Sequence, residues 1–325
     1  MTSNAEGPQW WSATAAWRLL QCPASATPAY RPTKPPEQAA DSAGALAHLA
    51  VQGWAANREW TQLDSGAVLQ ERFDAVAAAH GVDPARMPQA VVTRARLKAR
   101  AKELSAILSS AGSSVSSELL LADEENHFFG ILDIVAPGPG PGGLIIDLKT
   151  GRDSSAAPSP AIEHQMLFYA HLFQATYGMP PARVIIFGLQ RGPAEIEAAP
   201  TAITALLNQI RAAQLDESGM ARPHVDACRY CPKRTTCEPH WDAVSAWDRP
   251  DAIEGMIRSV EYSSSGAAAL LIGKQWLTGI PTSKLPGSVS PGQFARAVRV
   301  RRRNNNLPAE WAATSSTLIS FEPSR

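Results

Sequence analysis

The chain has 325 residues, 45% of them hydrophobic and 18% charged, enough for one large domain plus a small one around a sizeable core. Its 30 basic and 30 acidic side chains cancel, which excludes a global positive field as the means of meeting a polyanion; any such contact must rest on locally placed charge. No basic-then-apolar leader opens the sequence and the longest apolar runs, such as 266–273, fall far short of the ~20 residues that span a bilayer, so a cytoplasmic chain without membrane contact is expected.

Taken in chain order, residues 9–22 (QWWSATAAWRLLQC) read as a short amphipathic helix stopped by Pro23, which opens a Pro-, Ala- and Ser-rich loop to about residue 40. Apolar residues then recur at helical spacing over 43–54, with His48 in their midst, and again over 66–80 and 88–111. The last of these carries Arg94, Arg96, Lys98, Arg100 and Lys102, one of two local basic stretches.

The period then shortens. Short apolar runs at 119–122, 128–135 and 144–148, bounded by turn formers, predict strands. The linker 136–143 (APGPGPGG) suits neither a helix nor a central strand and predicts a tight antiparallel connection. A helix over 161–177, a buried strand over 184–190 and a helix over 201–215 complete an α/β or α+β core. Beyond the cysteines at 228–237, the strand-like pieces in 251–303 predict a small β-rich module of OB or SH3-like size. The second basic stretch, Arg296, Arg299 and Arg301 to Arg303, lies there, followed by a flexible or docking tail after Pro308. The expected division is therefore 1–245 and 246–325.

Chemistry concentrates in GILDIV (130–135) and LIIDLKTG (144–151). Asp147 and Lys149 are two apart on a strand and share a face; the hairpin brings Asp133 beside Asp147. Paired carboxylates form a hard oxygen site for Mg²⁺ or Mn²⁺, and an ammonium beside such an ion offsets charge building on a phosphoryl group. Asp-x-Lys alone occurs by chance in a chain this long. His48 upstream and Gln165 and Tyr169, four apart on one helix face, give it context.

The ordered set G-x-x-x-H (Gly44 to His48), G-x-x-D (Gly130 to Asp133), D-x-K-T-G (Asp147 to Gly151) and Q-x-x-x-Y (Gln165 to Tyr169) resembles the RecB-type branch of the PD-(D/E)xK nucleases over roughly residues 10–240. The resemblance implies a restriction-endonuclease-like core, a mixed sheet flanked by helices. It also implies a metal held by His48, Asp133, Asp147 and the Leu148 carbonyl, with Lys149 catalytic and Gln165 and Tyr169 contacting DNA or positioning the site. Glu118 matches an acidic position often seen in the family and is assigned a minor part. Leu49 stands where relatives often carry an acid.

Cys228, Cys231 and Cys237 form C-x2-C-x5-C, and the remaining cysteine is Cys22. Such thiolates suit zinc or an iron–sulfur cluster; His224 or His240 with three of them would make a zinc site without Cys22. One cysteine before a nuclease core and three after it is similar to the iron–sulfur members of the branch, AddB-type subunits and CRISPR-associated RecB-like exonucleases. That implies a [4Fe-4S] cluster on all four, stapling the first helix to the end of the domain.

The expectation is a metal-dependent deoxyribonuclease acting on single strands or free ends in repair, recombination or defence, with a helicase or recombination partner. The alternatives are a non-catalytic DNA-binding subunit, or the same nuclease with zinc in place of the cluster.

Overall fold

The computed structural model describes residues 8–36, 38–112, 114–138, 142–151, 158–216, 219–303 and 309–322. The chain is mixed α/β and forms two compact units. One takes residues 1–20 and 27–215, and the other takes 21–26 and 216–325.

In the first unit, helices α1 (Ala13–Gln21), α2 (Ala43–Ala56), α3 (Ser65–Ala79) and α4 (Ala90–Ser110) precede the main strands; only β1 (Trp11–Ser12) comes earlier. Ser42 caps α2 by accepting from the Ala45 amide, and Asp64 caps α3 by accepting from Ala67, each satisfying an amide the helix cannot. Strands β2 (Ser116–Asp123), β3 (Phe128–Ala136), β4 (Gly143–Lys149), β5 (Pro181–Gly188) and β6 (Gly192–Ile196) form one mixed sheet with β1. β3 is antiparallel to β2 and β4, while β4 runs parallel to β5. Helix α5 (Pro160–Tyr177) makes the crossover that a parallel pair requires, and α6 (Pro200–Gln214) follows β6. The link from β3 to β4 is antiparallel as expected, although residues 139–141 within it lie outside the described ones.

Side chains sort by the two-residue period. Ile134, Ile146, Leu148, Ile185 and Phe187 enter the core shared with α2, α3 and α4. Their neighbours Asp133, Asp147 and Lys149 therefore belong to the opposite face, over which α5 packs against β2 through β5. The helix lies close there. A Cβ on Gly130 would meet Tyr169 Cε1 at 2.8 Å and Leu172 Cδ1 at 2.9 Å, so only glycine admits this approach.

The second unit carries two short helices, α7 (Val225–Arg229) and α8 (Glu238–Val244). It also contains β7 (Ala252–Tyr262), β8 (Ala267–Ile272), β9 (Gln275–Pro281), β10 (Phe294–Val298), β11 (Arg301–Arg302), β12 (Glu310–Ala312) and β13 (Leu318–Glu322). These strands form one sheet in the order β11-β12-β9-β8-β7-β10-β13. Its core is Ile253, Ile257, Leu270, Ile272, Leu277 and Trp311 with their neighbours. The tail expected to be flexible or a docking strip is instead built into this sheet: β13 pairs antiparallel with all of β10, and Trp311 is buried. No helix among the described residues is long and apolar enough to cross a membrane.

Candidate metal centre and active site

Backbone pairing between β3 and β4 runs from Ala136↔Leu144 to Ile134↔Ile146 and stops there. The next residues on the two strands are Asp133 and Asp147, so both aspartates stand where the strands part. Asp133 bridges the gap: its Oδ2 accepts the Leu148 amide at 2.6 Å. Leu148, whose carbonyl the resemblance assigns to the metal, contributes this amide to the site.

His48 arrives from α2. Gly44, one turn earlier, sits so near the end of β4 that a Cβ there would lie 2.9 Å from Thr150 Oγ1. That approach brings His48 Nε2 to 3.1 Å from Asp133 Oδ1. Glu118 comes from the other side. Ser117 pairs with Ile134 and Leu119 with Leu132, but Glu118, which stands between them opposite Asp133, leaves the ladder with a left-handed φ of 51°. Its Oε1 is 4.0 Å from His48 Nε2 and accepts from Gln38 Nε2 at 2.7 Å and from Gln52 Nε2.

Potential ligand atoms of His48, Glu118 and Asp133 all lie within 4.8 Å of one another. Asp147 falls outside that mutual set because its carboxylate is engaged elsewhere: Lys149 Nζ is 2.6 Å from Oδ2, and Gln165 Nε2 donates to Oδ1 at 3.2 Å. Gln165 also donates to the Tyr169 hydroxyl at 3.1 Å, and Lys149 Nζ lies 3.5 Å from Gln165 Oε1.

Electrostatics follow from burial and crowding. Burial pushes the Asp147 carboxyl up to about 6, against the pull of Lys149 and with the push of Asp133. Glu118 is raised by burial and by Asp133, partly offset by His48, Gln38 and Gln52. Burial works against a charged His48, but the bond to Asp133 and the charges of Asp133, Glu118 and Asp147 leave its pKa raised. The Tyr169 phenol is pushed far up by burial, so it stays protonated. Asp147 Oδ2 is buried and ion-paired, yet among the described residues it receives no aligned hydrogen bond. One imidazole and converging carboxylates fit a hard divalent cation.

The structure thus gathers His48, Asp133, Asp147, Lys149, Gln165 and Tyr169 at one place. It adds Glu118 as a full member, and Gln38 and Gln52 behind it. Gln52 was legible, being one turn from His48 on the same helix face. Gln38, in a Pro-rich loop, left no signal.

The four cysteines meet in the second unit. Cys22, Cys228, Cys231 and Cys237 line one cavity with Arg234 and His240, and the Arg222 amide donates to Cys22 Sγ at 3.2 Å. Burial raises the Cys228 thiol to about 11, so a thiolate there needs a cation beside it. Among the described residues no three of these sulfurs lie within 4.8 Å of one another. His224 Nδ1 accepts the Ala227 amide as a helix cap, and His240 Nε2 accepts from Arg234.

The basic stretches are partly neutralised at home. Arg94 pairs with Asp74, and Arg100 with Glu103. Arg296 is buried between Glu238 and Glu254, which makes it a structural ion pair rather than a nucleic-acid contact.

A family model of the PD-(D/E)XK nuclease superfamily matches residues 10–238, and the chain belongs to that superfamily. A search of curated proteins finds no match. Among solved structures, that of SSO0001 aligns at 16% identity over 73% of this chain and 90% of its own, with a TM-score of 0.33.

Proposed function

We propose that the chain is a deoxyribonuclease of the RecB-type branch, dependent on Mg²⁺ or Mn²⁺ and acting on single strands or free ends. The observation that carries the metal-dependent nuclease reading is the convergence of His48, Glu118, Asp133, Asp147 and Lys149 where β3 and β4 part; the branch and the preference for single strands or free ends rest on the resemblance.

His48, Glu118 and Asp133 would hold a divalent ion, and the resemblance adds Asp147 with the Leu148 carbonyl. Such an ion would supply Lewis acidity for activating water and stabilising charge on a phosphoryl group. Lys149 Nζ stands 2.6 Å from Asp147 Oδ2, placed to offset charge building on the phosphate. Gln165, bonded to both Asp147 and Tyr169, fixes the carboxylate's orientation. Tyr169, with its proton retained, is left to donate to a phosphate oxygen.

The four cysteines hold a [4Fe-4S] cluster in this reading. What supports it is that all four line one cavity, and that one cysteine before the core and three after it resembles the iron–sulfur members of the branch. The biological setting that accompanies this branch is repair, recombination or defence, alongside a helicase or recombination partner.

The test is cleavage of end-labelled single-stranded DNA with Mg²⁺ or Mn²⁺ by wild type and Lys149→Ala. Loss of roughly 10²–10³ in rate is expected in the variant. Equal product from both removes the proposed centre and leaves the non-catalytic DNA-binding reading. Comparing end-blocked with open substrates reads the end preference, and metal analysis of anaerobically purified protein separates iron from zinc.

A further inference from the structure

We propose that Tyr230, an exposed ring with Arg229 and Arg299 close by, on the loop that joins Cys228 to Cys231, is a stacking site for a base of single-stranded DNA. The inference deepens the nuclease reading by assigning a substrate contact within the second unit.

The arginines of this unit divide into two kinds. Arg234 is fully buried and bonded to both oxygens of Asp251; Arg296 is buried between glutamates. Their charge is spent inside the fold. Arg229 and Arg299 differ: among the described residues neither guanidinium has a carboxylate within ion-pair distance. Both approach one ring instead, with Arg229 Cζ 5.4 Å and Arg299 Cζ 6.0 Å from the Tyr230 centroid. That ring is 61% exposed, and Lys233, also exposed, follows three residues on.

Arg299 is held deliberately. Its φ of 60° is a left-handed conformation that costs a non-glycine residue free energy. The surroundings enforce it: Thr314 Oγ1 and Thr317 Oγ1 donate to the Arg299 carbonyl at 3.0 and 2.9 Å. The side chain in turn donates to the carbonyls of Arg229 at 3.2 Å and Cys231 at 3.4 Å, tying it to the cysteine loop. An exposed aromatic face with two uncompensated cations on a fixed loop is the chemistry that binds an unpaired base and its flanking phosphates. A duplex, with its bases already stacked, offers such a ring nothing.

Fluorescence anisotropy of labelled oligo(dT) without divalent metal tests this, using the full protein with its cysteine-bound metal in place. Tyr230→Ala is expected to bind about ten-fold more weakly, and Tyr230→Trp at least as well as wild type. Arg229→Gln should lower the slope of log K against log salt by about 0.7. Tyr262, also 61% exposed and with no arginine over its ring among the described residues, is the control. Tyr262→Ala should bind as wild type. The proposal is overturned if wild type fails to bind oligo(dT), if Tyr230→Ala matches wild type, or if Tyr262→Ala is equally weakened. It is also overturned if Tyr230→Ala weakens a blunt, hairpin-capped duplex as much as oligo(dT). Because cleavage is not measured, failure here is distinct from failure of the catalytic centre, which Lys149→Ala reads.

Discussion

Glu118 stands opposite Asp133 across β2 and β3, at the one break in a ladder that pairs Ser117 with Ile134 and Leu119 with Leu132. Burial first, and then the facing charge of Asp133 when no cation intervenes, raise the pKa of Glu118. Glu118→Gln is therefore expected to weaken Mn²⁺ binding by about 10–100-fold, in the range seen when groups around a metal are removed. It should also raise the thermal midpoint of the metal-free protein near neutral pH. Calorimetric Mn²⁺ titration together with thermal unfolding checks both; unchanged Mn²⁺ affinity would remove Glu118 from the ligand set.

Gly130→Ala places a methyl 2.8 Å from Tyr169 and 2.9 Å from Leu172. Overpacking of this kind costs about 1–3 kcal/mol. Helix α5 must shift, and with it Gln165, the link to Asp147. The variant should unfold several degrees lower and also lose cleavage measured well below that midpoint. Lowered stability with full activity would show that α5 does not position the site.

His164 is buried on α5, edge-on to Trp17 and stacked near Phe168, and among the described residues neither ring nitrogen has a hydrogen-bond partner. Burial lowers its pKa to about 4. Between pH 6.5 and 4 the unfolded chain takes up a proton there while the folded chain does not, so this group's contribution to stability is present above 6.5 and lost as pH falls. His164→Leu should flatten the decline measured by urea unfolding across that window, by roughly 3 kcal/mol at most. An identical decline in both proteins would mean that His164 titrates normally.

Cys22 stands about 200 positions from the other three cysteines in sequence yet lines the same cavity. If all four hold one cluster, Cys22→Ser should abolish or alter its visible absorbance and lower the unfolding midpoint. A three-cysteine zinc site would leave metal content and midpoint unchanged on that substitution.

Much of the centre was legible in the chain. Two-residue spacing fixes Asp147 and Lys149 to one face in any strand, and four-residue spacing fixes Gln165 and Tyr169 to one face of a helix. Gly44 and Gly130 were visible as motif positions, but their reason, a methyl-sized gap to Thr150 and to Tyr169, exists only once helix and sheet are packed. The basic run near the end could not be weighed by counting either. Arg296 and Arg299 are three apart, and one is buried in glutamates while the other leans over an exposed tyrosine.

Sequence by itself determined most helices and strands of the first unit, which side chains share a face, and the chemistry those side chains could perform, because these depend on local period and residue type. Tertiary structure alone decided that Glu118 comes within ligand distance of His48 and Asp133 while Asp147 turns to Lys149. It also drew in Gln38, 80 residues from the carboxylate it holds. Those outcomes depend on where strands part and how closely a helix lies, distances that no spacing along the chain encodes.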